Sequence, residues 1–469
     1  MNRIFFKLSF LFTFTLFILR GSVVAQDVVK LSLEDAISYA MKNANSLKTA
    51  QNGIQDAELL IKENLATGLP QVNAELGYNY YFLAPQSLLP DFISPATYGV
   101  LVKEGVRNGS NQTITFPAGL GNNFSKVSFV QKNSLTGSVS VSQLIYSGSY
   151  NVALRAVRLA RDLAKMQVRS KEADIRNQVI EAYLPALLIT ESVKTLDKNI
   201  ANLQKLLKDV TATYKAGFIE QLDVDRLSLS LANLQSDRDN LDRQKGLVLN
   251  ALKLVMGYPM ETDIILSDDI NALTKDAEME DLTGAIDFSK RPEYALLQGV
   301  ESINKLQIDL VKASVYPTVA GFASLSESLQ ANNYFKDKWN SLPTGVVGVT
   351  AKINIWDSGQ RKAKIERAQL VLKNQQNQKA DFERVVTLQV LNARISYQNA
   401  QKRLESQRKT AILAERIYET TQTKYKNGVG SSLEISTAEQ QLYAAQQNVR
   451  QAQYDLMVVQ KQLQKALGK

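Results

Sequence analysis

The chain has 469 residues, a formal net charge of +9, and neither histidine nor cysteine. It therefore has no imidazole base, no thiol nucleophile and no soft-metal site, and we expect no enzyme activity, no cofactor and no metal. The lack of cysteine also excludes a disulfide scaffold. The surplus cations are spread along predicted helical faces, which argues against a nucleic-acid-binding patch.

Residues 1–25 are typical of an export signal. Arg3 and Lys7 give the segment a basic start, and a short apolar run follows at 8–19. Arg20, placed after that run, keeps a retained membrane anchor open as the alternative. No later segment is an apolar run long enough to cross a bilayer as a helix, so membrane insertion of the exported chain requires β-strands.

The remainder of the chain uses one plan twice. The stretches YKAGFIEQLDV (214–224) and YKNGVGSSLEI (425–435) share a skeleton, and their matched residues lie 211 positions apart. Two Ser-Gly turns keep the same offset; they are Ser147 with Gly148, and Ser358 with Gly359. Further upstream the offset becomes 247, which places a 36-residue insertion in the first copy. The predicted domains are the signal at 1–25, a first repeat at 26–257, an equatorial connector at 258–290 and a second repeat at 291–469.

In the first repeat, a helix precedes two barrel strands, which show period-two alternation of apolar and polar residues. The stretch between the strands is rich in Pro, Gly, Asn and Ser, and predicts a long external loop. Apolar residues at heptad spacing predict a long helix, in which Pro185 should cause a kink. The expected bounds are strands at about 71–82 and 137–146, an external loop at 83–136, a long helix at about 149–214 and a return helix at about 220–256.

The second repeat has the same order with a much shorter loop. At about 1.5 Å per residue, each long helix would measure roughly 100 Å. The expected bounds, after an opening helix, are strands at about 318–329 and 345–356, a long helix at about 360–425 and a return helix at about 433–467.

The four strands have the length and alternation of bilayer-crossing β-strands. Tyr78, Tyr146 and Trp356 suit an aromatic girdle at the membrane interface. Strand pairs half-buried in a soluble domain stay open as the alternative. In lipid, four strands would leave unpaired edges, and the smallest single-chain barrels have about 8 strands. Strands from several chains must then join, and three chains would supply about 12.

Two copies of strand, strand, long helix, tight turn and returning helix resemble the plan of the TolC-like outer-membrane efflux proteins. The resemblance covers residues 26–469, and its most specific motifs are LSLEDAISYAMKNANSLK (31–48), ALKLVMGYP (251–259) and the two Tyr-Lys-x-Gly turns. It implies a mainly α-helical fold with membrane β-strands, made of two tandem repeats. Each repeat is a β-hairpin plus a long coiled-coil helical hairpin. A trimer then forms a twelve-stranded β-barrel that a periplasmic α-helical barrel continues.

The resemblance also implies a function, as an exit duct in the outer membrane of a Gram-negative bacterium that extends into the periplasm. The expected partners are two sister chains, outer-membrane lipid, a periplasmic adaptor and an inner-membrane pump of the RND or ABC type, in efflux or type I secretion. The family's periplasmic tip closes the entrance and contacts the adaptor. It corresponds here to Tyr214, Gly217, Leu222, Asp223, Tyr425, Gly428, Leu433 and Glu434. Some members carry a second acid three positions further on, and this chain has Thr437 at that position.

The turns also have a physical account that needs no family. Gly217 and Gly428 can adopt the left-handed conformation that ends a helix. Asp223 and Glu434 begin the next helix, where an acid is favoured, so capping alone can explain both. The alternative is that three chains bring six carboxylates to a constriction that favours cations. Arg226, near Asp223, is expected to neutralise it.

Two other classes of protein stay open. A periplasmic coiled-coil adaptor would need one helical hairpin, whereas this chain predicts two. A surface adhesin or structural coiled coil would not explain strand–turn–strand units at matched places. Neither class forms a pore.

Overall fold

The computed structural model describes residues 29–120, 124–276 and 285–468, so the predicted signal lies outside the described residues. The helices are α1 (Leu33–Asn43), α2 (Asn45–Ala66), α3 (Ile93–Lys103), α4 (Gly148–Lys215), α5 (Gln221–Met256), α6 (Ile270–Asp276), α7 (Pro292–Ala313), α8 (Gln360–Lys426) and α9 (Ser432–Ala466). The strands are β1 (Val29–Leu31), β2 (Gln71–Tyr80), β3 (Ser87–Pro90), β4 (Phe124–Val127), β5 (Asn133–Ser147), β6 (Ile264–Leu266), β7 (Thr318–Ala331) and β8 (Asn340–Lys352). Within these described ranges, no helix is both long and apolar enough to cross a membrane.

The chain forms two compact units. The first, here called the sheet unit, comprises Ala50–Arg169 and Arg291–Arg384. The second, called the turn unit because it holds both Tyr-Lys-x-Gly turns, comprises the described residues within Met1–Thr49, Ser170–Lys290 and Val385–Lys469. Both repeats contribute to both units.

The sheet unit is organised around one four-stranded antiparallel sheet with the order β2-β5-β7-β8. The two hairpins are joined through β5 and β7, whose register shifts once, between Leu144 and Tyr146. The outer strands, β2 and β8, each pair on one side only within the described chain. The sheet therefore ends in two open edges.

The register sorts the side chains of this sheet by polarity. One row across it contains Ala74, Val139 and Leu325, and the adjacent row contains Glu75 and Ser138. Because successive residues of a strand point to opposite faces, the sheet has one apolar and one polar face. The apolar face is exposed in the single chain.

Two predicted features of this unit need correction. The segment 83–136 is not a continuous loop, because β3 and β4 pair with each other and α3 lies between them. Pro95 stands in the first turn of α3, where a missing backbone N–H leaves no helical hydrogen bond unmade. The last strand ends at Lys352, so residues 353–356 extend beyond it.

The turn unit contains the ends of the two long helices and their return helices. Pro185 does not end α4, which is continuous from Gly148 to Lys215. The four helices share an apolar core. Its buried members are Leu196, Leu203, Leu206, Val210, Leu227, Leu234, Ala414, Tyr418, Ile435, Ala438, Leu442 and Ala445.

The connector between the repeats is tied into the turn unit by Tyr183. Strand β6 of the connector pairs in parallel with β1. The buried Tyr183 Oη lies 2.9 Å from Asp268 Oδ2 and 3.1 Å from the Leu31 carbonyl oxygen. Burial and the Asp268 carboxylate raise the pKa of Tyr183, so the phenol stays neutral and can donate.

Candidate functional site at the helical turns

The first turn links α4 to α5 and is closed by backbone hydrogen bonds. Gly217 N donates to Tyr214 O at 2.8 Å, and Phe218 N donates to Thr213 O at 3.2 Å. Gly217 has a φ of +81°. This pattern satisfies carbonyls that the end of a helix otherwise leaves unpaired.

The second turn, between α8 and α9, has the same hydrogen bonds at matched positions. Gly428 N donates to Tyr425 O at 3.1 Å, and Val429 N donates to Lys424 O at 3.1 Å. Gly428 has a φ of +75°. The sequence repeat is therefore also a repeat of backbone geometry.

Glycine is required at both turns for its backbone and not for space. A Cβ built on Gly217 or Gly428 would meet nothing within 4 Å. The left-handed conformation, however, costs other residues about 1–2 kcal/mol.

The helices after the turns start differently. Ser431 caps α9, since its Oγ accepts a hydrogen bond from Glu434 N at 3.2 Å. The corresponding N-cap of α5, Glu220, makes no such side-chain bond. Asp223 and Glu434 both lie in the first helical turn, where the helix dipole favours an acid. The side-chain cap of α9 thus comes from Ser431, which is not among the predicted site residues.

The two return helices are joined by hydrogen bonds between the repeats. Arg226 Nη1 donates to Ser432 Oγ at 3.1 Å, and Ser230 Oγ lies 3.2 Å from Ser436 Oγ. The expected pairing of Arg226 with Asp223 does not occur among the described residues; Arg226 turns instead towards α9. These contacts were beyond prediction, because nothing in the spacing indicates that α5 and α9 are neighbours.

The two tyrosines of the turns differ in their surroundings. Tyr425 is half-buried, and its Oη is buried without a hydrogen-bond partner in the described chain. Burial, and secondarily the charge of Asp223, raise the pKa of Tyr425. Tyr214 is more exposed. An acid of the first repeat therefore acts on a tyrosine of the second.

Each turn carries exposed apolar side chains at matched positions. Phe218 is 81% exposed and Val429 is 79% exposed. Leu222 and Leu433, one turn further on, are also exposed. Phe218 and Val429 are not among the predicted site residues, although their position directly after the turn glycine is a usable signal. Exposed apolar groups repeated at matched positions of both turns favour a role for the turns in contacting another molecule.

Comparison with known proteins shows what the chain is similar to. Residues 302–469 match the family model described as "Outer membrane efflux protein". Over 443 residues the chain is 21% identical to the pyoverdine export outer membrane protein OpmQ of Pseudomonas aeruginosa, covering 93% of this chain and 85% of that protein. Its fold is similar to that of CusC, with a TM-score of 0.67, 16% identity, and coverage of 94% of this chain and 93% of that one. It is also similar to the open state of the Neisseria gonorrhoeae MtrE outer membrane channel, with a TM-score of 0.64, 15% identity, and coverage of 93% and 88%.

The family match lies in the second repeat, and similarity to outer-membrane efflux channels extends over most of the chain. The resemblance predicted from the sequence motifs is thereby confirmed, together with the two-repeat fold class and the outer-membrane location.

In this chain, the two Ser-Gly turns between sheet and long helix have different physical causes. Gly148 is needed for space, since an added Cβ would lie 2.9 Å from Ala313 O and 2.9 Å from Tyr316 Cβ. Ser147 is buried there, and its Oγ accepts a hydrogen bond from Tyr150 N at 3.4 Å.

The matching turn of the second repeat is set by its backbone. Ser358 and Gly359 both have left-handed φ values, of 49° and 83°. The Asp357 carboxylate accepts hydrogen bonds from Gly359 N at 3.2 Å and from Arg361 N at 3.3 Å. The two turns therefore share the Ser-Gly sequence but differ in backbone geometry.

Proposed function

We propose that three copies of this efflux protein form one duct, which carries cargo from a periplasmic adaptor and an inner-membrane pump of the RND or ABC type to the exterior. The observation that carries the proposal is the four-stranded sheet with an exposed apolar face and two open edges. In lipid each unpaired backbone group costs several kcal/mol, so β2 of one chain must pair with β8 of the next. Three such sheets have enough strands to close a barrel.

The relatives support the direction of transport. OpmQ is named for pyoverdine export, and MtrE is described as a channel with an open state. By this likeness the cargo is a compound that leaves the cell, and the exposed side chains of the turns are the contact surface for the adaptor. Asp223 and Glu434 of three chains then stand near the entrance.

The barrel is tested by two neighbouring substitutions in β8. Val347 pairs with Ala323 on the apolar face, whereas Val346 pairs with Ser324 on the polar face. A lysine facing lipid costs about 2–4 kcal/mol near the bilayer midplane, and one facing the lumen does not meet lipid. We expect Val347→Lys to lower the amount of assembled trimer, measured by cross-linking of outer-membrane extracts. Val346→Lys should assemble normally and alter single-channel conductance.

Two results would contradict the duct. One is equal assembly of the two lysine variants, because it would mean that neither face meets lipid. The other is a purified protein that stays monomeric, or that shows no conductance in planar bilayers.

The adaptor surface is tested by photo-cross-linking. A photoreactive residue at Phe218 or Val429 should capture the adaptor in membranes that contain the whole system. The same residue at Leu247, which is 71% exposed but lies far along α5 from the turn, should not. Capture at Leu247 alone would place the adaptor elsewhere.

A further inference from the structure

Glu439 is a carboxylate enclosed within the turn unit. It belongs to α9, and its side chain is 1% exposed. Tyr443, one turn further along α9, donates a hydrogen bond from its Oη to Glu439 Oε1 at 2.6 Å. Glu439 Oε2 is also shut off from solvent, and it has no hydrogen-bond partner in the described chain.

The titratable groups that face Glu439 are phenols and another acid. Tyr418 approaches from α8, Tyr443 lies on α9, and Asp237 of α5 lines the same cavity. The lining residue from α4 is Leu196, which has no charge. Burial raises the pKa of Glu439, and burial together with Glu439 raises the pKa of Tyr418 to about 12. No cation within the described chain forms an ion pair with Glu439.

Sister subunits cannot supply a hydrogen bond to Glu439 Oε2 while the helices are packed as in this structure. The side chains of its own chain already cover Glu439 Oε2, so a neighbouring chain can add burial but no hydrogen bond until the helices move. An ionised carboxylate enclosed in this way is strongly disfavoured. Taking up a proton is the cheaper response.

We propose that Glu439 is a proton-linked latch. It holds a proton while α5, α8 and α9 are packed together, and it releases that proton when these helices separate enough to admit water. The inference rests on the proposed function, because it equates the packed helices with a closed entrance.

The direction of the pH effect follows from linkage. The packed state has the raised carboxyl pKa, so it binds the proton more tightly than a separated, solvated state does. Packing is therefore favoured fully below the ordinary carboxyl pKa, and this preference is lost as the pH rises through the raised value. Lower pH therefore favours the closed entrance, and higher pH favours opening. Each chain contributes one proton, and each pH unit within this window changes the equilibrium by up to about tenfold per proton.

The test compares Glu439→Gln with Glu415→Gln in planar bilayers. Glutamine keeps the shape of the neutral acid and cannot ionise. As the pH rises above the ordinary carboxyl range, wild-type open probability should increase by up to about tenfold per pH unit and proton, whereas Glu439→Gln should stay at the low-pH level. Glu415 is exposed on α8, one of the packed helices, so Glu415→Gln should keep the wild-type rise. A wild-type pH profile in Glu439→Gln would overturn the latch.

A disulfide provides a second test that leaves Glu439 in place. The chain has no cysteine, and the Ser230 and Ser436 hydroxyls are 3.2 Å apart. In the variant with Ser230→Cys and Ser436→Cys, oxidation should hold α5 against α9 and abolish the pH response, and reduction should restore it. A pH response that survives oxidation counts against the latch.

Infrared spectroscopy separates failure of the latch from failure of the duct. A protonated carboxyl band should be present in wild-type protein at the low pH of the closed state, should decline as the pH rises and the channel opens, and should be absent from Glu439→Gln. Conductance without that band would overturn the latch and leave the duct intact. The band without any conductance would support the buried proton and refute the duct.

Discussion

Replacing the turn glycines by alanine should loosen the turns by a predictable amount. Gly428 has a φ of +75°, and an added Cβ would meet nothing within 4 Å, so the whole cost is conformational. That cost is about 1–2 kcal/mol, which corresponds to a factor of about 5–30 in the population of the opened turn. Asparagine tolerates the left-handed region better than alanine, so Gly428→Asn should lose less.

The assay is limited trypsin cleavage after Lys426, the last residue of α8, with the assembled protein in detergent. When opening is fast relative to cleavage, the rate follows the opened population. Gly428→Ala should be cut about 5–30 times faster than wild type, with Gly428→Asn in between.

Gly246 is the matched control for this experiment. It lies inside α5 without a positive φ, and an added Cβ there also meets nothing within 4 Å. The same change to alanine should stabilise the helix by about 0.8–1 kcal/mol. If Gly428→Ala were cut at the wild-type rate, or if Gly246→Ala lowered stability as Gly428→Ala does, the conformational reasoning would be refuted.

Three further predictions concern the turns. Neutralising the acids with Asp223→Asn and Glu434→Gln should lower cation selectivity, read from the reversal potential under a salt gradient; an unchanged potential would leave both acids a role at the helix ends only. Ser431→Ala should cost about 1 kcal/mol by removing the cap of α9, and a thermal melt equal to wild type would contradict that role. Gly148→Ala should cost about 1–3 kcal/mol through overpacking against Ala313, so its melting temperature should fall.

Much of the sheet could be predicted, because alternation is a property of each strand alone. The alternation puts Ala74 on the apolar side of its own strand and Val139 on the apolar side of the next, and the register pairs these two residues. The neighbour relation of β5 and β7 could not be read in this way, since those strands come from different repeats. Helix α3 escaped prediction because Pro95 indicates a loop unless its place in a first turn is known.

In the candidate site, too, features with a local sequence signal could be predicted, and contacts between distant segments could not. Gly217 and Gly428 could be predicted, since a glycine after a lysine-bearing helix end is a local signal. The contact between Arg226 and Ser432, and the enclosure of Glu439, depend on which helices meet, and helix periodicity does not encode that choice.

The open edges of the sheet have a consequence for biogenesis. In a newly exported subunit, the ten residues of β2 and the thirteen of β8 each have one edge with unpaired backbone N–H and C=O groups. These edges can pair with the wrong strands for as long as the subunit remains a monomer. Burial of those edges requires encounters with like chains, which makes the yield of mature protein rise steeply with expression level. Below some expression level, newly exported subunits would meet too rarely to assemble. The number of subunits, and not the stability of each chain, would then decide whether a cell can sustain this export route.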